Sequence, residues 1–182
     1  MTTRQFEIDS AHSDIRFSVR HLGFSRVHGG FLHWKGSILF DEAAPTATRV
    51  VVDIDAKSID TREPKRDGHL RSADFLDVER YPILRFESVR VEPREPRHYL
   101  LIGELTLHGV TRPVDLEVEL LGGTRDPWGH DRLSFSAKTS LNRRDFGLRW
   151  NQVLESGGLL VGDTVDIAVE VEAVAAAAGQ AA

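Results

Sequence analysis

The charged stretch RDGHLRSADFLDVERYP, residues 66 to 82, sets Asp67, His69, Asp74 and Asp77 within one short segment. Carboxylates and imidazoles together suit a divalent ion, and on a helix residues three or four apart share a face. No second histidine stands three or four residues from His69, so a solvated, salt-bridged helix accounts for the same residues more simply, and no metal is expected. His28 and His33 are five apart, which on one continuous strand places them on opposite faces and prevents joint chelation. Ser25, in GFSRV, lacks the closing glycine of a nucleophile elbow. Asp145 and Glu155 are the remaining candidates for a carboxylate pair, but nothing in the sequence fixes their separation. The glycine pairs at 29, 122 and 157 precede neither a phosphate-loop lysine nor a GxGxxG pattern, and suit turns or bulges instead. With no cysteine, thiolate chemistry and disulfides are excluded. The residues assemble no catalytic constellation and call for no cofactor.

A chain of 182 residues with 41% hydrophobic content has the size and the apolar material for one domain with its own core. The net charge of −5 opposes bulk nucleic-acid binding, which needs a basic surface to displace counterions from phosphates. MTTRQFEIDS carries Arg4 early and no apolar run, so neither a signal peptide nor a stable membrane insertion is expected, and the expected compartment is the cytoplasm.

The elements that must position these residues are strands. At least eight segments alternate apolar and polar residues with period two, the pattern of strands with one buried face. They lie at Ile15 to Val19, Phe31 to Phe40, Arg49 to Ala56, Ile83 to Val91, Tyr99 to Leu107, Val114 to Leu120, Leu133 to Ala137 and Val165 to Val171. In the fourth, the apolar phase switches after Phe86 to Val89 and Val91, which predicts a bulge. His108 to Pro113 predicts a hairpin turn. The expected fold is an all-β, eight-stranded antiparallel barrel spanning residues 1–175, with residues 176–182 a disordered alanine-rich tail.

Two segments interrupt the alternation. In residues 62–81, Pro64 suits a helix start and Pro82 a stop, predicting a short helical insertion that crosses one barrel mouth and presses Phe75 and Leu76 inward. The other, residues 141–163, carries Arg143, Arg144 and Arg149. Large apolar residues exceed what strand alternation alone requires: Phe17, Val19, Phe31, Trp34, Ile38, Val52, Phe75, Phe86, Leu105, Phe135, Phe146 and Trp150. Each of them can simply fill a core, but an eight-stranded barrel is also wide enough to enclose one small ligand, and these twelve are the candidate lining. Arg66, His69 and Arg144 are the candidate contacts for an anionic head group at the rim.

Four stretches carry a family resemblance: IDSAHSDIRFSVRHLGFSRVHGGFLHWKGSILFD, SIDTREPKRDGHLRSADFLDVERYPILRFES, GELTLHGVTRPVDLEVE, and DPWG followed by SFSAKTSLNRRDFGLRWN. In order and spacing they resemble the YceI-like, or polyisoprenoid-binding, proteins over residues 6 to 174. The resemblance implies an extended lipocalin-like barrel with a long apolar channel, and an isoprenoid or fatty amphiphile as the ligand to carry or sequester. Two readings compete with it: an enzyme acting on an apolar small molecule, which needs a polar pocket with a perturbed carboxylate or histidine, and a filled barrel acting through protein partners. An exposed strand edge leaves room for a homodimer.

Overall fold

The computed structural model describes residues 3–41 and 43–176. Eleven strands run in the order β1 (Arg4–Ile8), β2 (Asp14–His21), β3 (Ser25–Phe31), β4 (Trp34–Phe40), β5 (Arg49–Asp55) and β6 (Ile59–Asp60). A single α-helix, α1 (Pro64–Arg71), precedes β7 (Ile83–Pro93), β8 (His98–Leu107), β9 (Val110–Arg125), β10 (Asp131–Asn142) and β11 (Val161–Ala175). All pairings are antiparallel, and the chain closes on itself because β1 pairs with β4 on one edge and with the end of β11 on the other. The closed ring is therefore β1-β4-β5-β7-β8-β9-β10-β11, eight strands, as expected for a lipocalin-like barrel.

One member of that ring differs from the expectation. Over its first ten residues β11 pairs with β2 rather than β1, so β2 and β3 form a hairpin that extends the wall at one end and meets β6. The apparent long strand from Phe31 to Phe40 breaks at Leu32 and His33, where the chain passes from this hairpin into β4. Consequently His28 and His33 do not share a strand. Gly29 is what permits the hairpin to lie flat on β2: a Cβ there would stand 2.6 Å from the Phe17 ring.

The predicted bulge lies in β7. Its register against β8 shifts between Ser88 and Arg90, leaving Val89 exposed and Val91 buried, and the Ser88 hydroxyl accepts the Val50 N–H at 2.8 Å. The β8–β9 turn is tighter than expected. His108 and Gly109 alone form it, with φ of 54° and 71°, the two-residue geometry that favours glycine. Thr111 to Pro113 belong to β9, and Pro113 is tolerated because β10 pairs with β9 only from Glu117 onward.

The helix covers only part of 62–81. Glu63 caps its start by accepting the Arg66 N–H, Pro64 stands at the first position, and Ser72 ends it. Past Arg71 the Ser72 carbonyl collects the N–H groups of Phe75 and Asp77, and Asp77 turns left-handed at φ 48°. The apolar anchors Phe75, Leu76 and Val78 therefore come from turns after the helix rather than from its face. At the other end of the chain β11 continues to Ala175, and the Ala176 N–H still donates to Gln5. The rest of the expected tail, 177–182, lies outside the described residues.

Candidate functional site

The buried apolar side chains form two groups. One, with Ile15, Ile54, Leu76, Leu84, Phe146 and Leu148, lies toward α1; the other, with Phe6, Ile38, Phe40 and Ala173, lies toward β1. A cavity of about 620 Å³ runs through the barrel and is lined by residues of all eleven strands, β6 contributing Ile59. Its volume falls within the range of small-molecule sites. The interior is thus not filled, as a barrel acting only through its outer surface would have it.

The structure sets Phe17 and Val19 of β2, Phe31 of β3, Trp34 and Ile38 of β4, Val52 of β5, Phe86 of β7, Leu105 of β8 and Phe135 of β10 on this wall, with Phe75 and Trp150 at one end. Period-two alternation places them there, because every second residue of each barrel strand faces inward. At the β1 end Phe40 meets Phe135 edge-on at 5.8 Å. Phe146 is a correction. It is not on the wall: its 3-10 turn, residues 143–146, drives the ring to 2% exposure where β9 and β10 are unpaired, making it a wedge in the barrel seam.

Polar residues gather at the α1 end. Among the described lining residues, those exposed to solvent are Arg16 and Arg20 of β2, which alternate with the inward Phe17 and Val19, and Lys65 and Arg66 of α1, which mark this end as the mouth. Across it lies an aromatic clasp. The His69 ring meets Phe75 at 5.0 Å and Trp150 at 4.6 Å, both nearly perpendicular, and Phe75 meets Trp150 at 5.3 Å. The clasp joins α1 to the segment after β10, and Asp74 orients it by bonding His69 Nε2 at 2.8 Å.

Of the three head-group candidates, Arg66 and His69 lie on the cavity wall and Arg144 does not. Arg144 lies outside the lining and pairs with Asp163 at 2.8 Å, while its neighbour Arg143, 4% exposed, lies on the wall. Adjacent residues of a 3-10 turn point apart, so only one of the two can face inward. Arg143 braces the mouth from below, donating from Nε to Gly162 and from Nη1 to the carbonyls of Leu148 and Trp150 at 2.8 to 2.9 Å. Burial pushes its pKa down from the ordinary arginine value, although Asp163 opposes the shift.

The four residues first considered as metal ligands do not converge. Asp67 is 5% exposed and accepts the N–H and hydroxyl of Thr61 at 2.9 and 2.5 Å; Arg66 Nε donates to the same hydroxyl. This is a knot fastening α1 to β6, invisible in the sequence because Thr61 carries no signal of its own. Asp9, His12 and Glu172 do cluster, far from the mouth. There the Arg132 guanidinium already bonds Asp9 at 2.9 Å, Asp126 at 2.9 Å and Glu172. Desolvation works to raise the pKa of Asp126, but the Arg132 bond and the N–H groups of His130 and Trp128 outweigh it and hold it at about 2. The Arg132 and His12 bonds likewise hold Asp9 below its ordinary value.

An antiparallel eight-stranded barrel with an apolar interior is a lipocalin-like architecture. Residues 6–173 match the YceI-like domain family, and the chain belongs to it. A UPF0312 protein of Pseudomonas putida (strain W619) is 37% identical over 172 residues, 93% of this chain and 86% of the relative. In fold, the chain is similar to BcnA of Burkholderia cenocepacia, with a TM-score of 0.80 at 20% identity over 91% of this chain and 98% of that one. It is also similar to a polyisoprenoid binding domain from Saccharophagus degradans, with a TM-score of 0.67 at 17% identity over 96% and 100% of the two chains.

Proposed function

We propose that the protein binds an isoprenoid or similar long-chain amphiphile, and carries or sequesters it, with the chain in the barrel and the head at the α1 mouth. The observation that carries this reading is the continuous apolar wall from Phe40 to Trp150, interrupted by charge only at one end. A non-hydrogen atom occupies about 30 Å³ in a condensed phase, as a water does, so the cavity admits about twenty such atoms, or four isoprene units. Each buried five-carbon unit contributes at most about 4 kcal/mol at roughly 0.8 per carbon. Association itself costs on the order of 4 to 15 kcal/mol, so a single unit would not suffice and about four would.

Arg66 and His69 are the head-group contacts in this reading. Arg66 keeps Nη1 free after Nε and Nη2 bond Thr61, which leaves a donor for a phosphate or carboxylate. The carboxylates held at low pKa, Asp9, Asp126 and Asp166, are not among the cavity residues, which favours a binder over an enzyme. The name of the Saccharophagus degradans neighbour supports the ligand class. No described helix is long and apolar enough to cross a membrane. The test is organic extraction of purified protein with mass spectrometry of the extract. A long-chain apolar molecule at near-stoichiometric yield is expected; an empty extract, joined to no saturable binding of geranylgeraniol by tryptophan fluorescence, would overturn the reading.

A further inference from the structure

The tips beside the mouth are apolar and uncovered. Leu22 and Gly23 turn left-handed between β2 and β3, at φ 56° and 81°, and deliver Phe24 to the surface at 82% exposure. The neighbouring loop, residues 151–160, folds back on itself through the Val153–Leu159 bridge, and Val153 is 71% exposed. The two tips are one surface, because the Leu22 N–H donates to the Leu160 carbonyl at 2.9 Å. Both border the cavity, since His21, Leu160 and Val161 are on its wall. Single exposed apolar residues are ordinary, but Leu22, Phe24, Val153 and Leu159 together make a patch that water alone does not explain.

Exposed cations near this patch that lack an ion-pair partner among the described residues are Arg20, Lys65 and Arg149. Arg26 is paired with Asp166. The acidic groups at this end are Glu155 in the loop, Asp145 in the turn after β10, Glu63, whose carboxylate caps α1, Asp74, which holds His69, Asp163, which pairs with Arg144, and Asp166, which pairs with Arg26 and also faces Arg20. Unpaired cations on the same end as exposed apolar side chains are a combination that can seat a protein on an anionic lipid interface, the apolar groups entering the headgroup boundary and the cations facing phosphates.

The geometry points to docking of the barrel mouth, through Phe24, Val153 and the cations Arg20, Lys65 and Arg149, on the surface of an anionic bilayer. The arrangement sets the opening of an apolar cavity against the phase in which its ligand is soluble, so a chain passes between them without crossing water. Docking goes beyond ligand binding and stands or falls separately.

The test is flotation of the full chain with vesicles of phosphatidylcholine and of phosphatidylcholine with phosphatidylglycerol. The anionic vesicles should carry the protein at low salt and release it as salt rises. The double variant F24S/V153S should partition at least about ten-fold more weakly. R20Q and R149Q should each weaken binding to anionic vesicles about five-fold while leaving the neutral ones unchanged. Both apolar substitutions are at exposed tips, and a geranylgeraniol titration like that of the wild type would show F24S/V153S folded with an intact cavity. No partition of the wild type into anionic vesicles, or equal partition of wild type and F24S/V153S, would overturn the proposal. So would a concentration-dependent dimer in light scattering that F24S/V153S abolishes, which assigns the patch to a second copy. Vesicle binding with no prenol binding would overturn the ligand reading and leave docking in place.

Discussion

Replacing Phe75 by alanine should loosen the mouth and lower stability by about 3 kcal/mol. The ring is 8% exposed and lies between His69 at 5.0 Å and Trp150 at 5.3 Å. Truncating a buried phenylalanine costs about 3 to 5 kcal/mol, and aromatic contacts contribute roughly 0.5 to 1.5 each within that cost. Because the ring already borders the cavity, its loss removes packing partners on one side only, and the lower end of the range applies. Urea titration followed by circular dichroism reads the effect. With a slope near 2 kcal/mol per molar, the midpoint should fall by about 1.5 M at unchanged slope. D74N should shift it little, because Asp74 is half-exposed and its bond to His69 survives in weakened neutral form. Prenol dissociation should accelerate in F75A and not in D74N. Equal, small effects from both variants would show the 72–80 turns to be a mobile surface loop and would refute the clasp.

The Arg132 network predicts an acid limb in the stability curve. Asp126 is held at about 2 against an ordinary 3.8 and Asp9 is lowered as well, so their contribution is complete above about pH 5 and is lost as pH falls toward 2. Urea midpoints measured from pH 5 to 2.5 should fall, and R132A should flatten that slope; parallel slopes would count against the network. Arg143 and Arg144 should separate sharply. R143M leaves the carbonyls of Gly162, Leu148 and Trp150 without their donor and should cost about 3 kcal/mol, whereas R144M loses a surface pair and should stay within about 1 kcal/mol in the same titration. Ala137 faces the cavity between Val118 and Val169. A137W adds about nine atoms there and should shorten the longest prenol accommodated by about two isoprene units at ~30 Å³ per atom, read by competition binding.

Strand alternation made most of the barrel legible, and the strands it missed show its limits. RQFEI in β1 offers only Phe6 and Ile8 as inward residues, too short a pattern to register, yet it closes the ring. SRVHGGF in β3 offers Val27 and two glycines; its pairing rests on close backbone approach over Phe17, which leaves no hydrophobic period. Phe31 to Phe40 does alternate across the break at Leu32, so period alone cannot reveal that two strands meet there. The wall residues on strands followed from the same alternation. The mouth did not, because 3-10 turns and left-handed residues such as Asp77 decide it. Residue type alone points Phe146 and Arg144 into the cavity, and the handedness of residues 143–146 sends one to the seam and the other to Asp163. The Asp67–Thr61 knot depends on a tertiary contact that neither residue announces.

The most direct test of the central claim is a ladder of prenols with two, three, four, six and eight isoprene units, each titrated by displacement of a fluorescent fatty probe. A cavity of about 620 Å³ that buries chain carbon by carbon predicts affinity rising steeply through about four units and then levelling, since at ~30 Å³ per atom later units find no further apolar wall. Affinity independent of chain length, or no saturable displacement by any prenol, would contradict it.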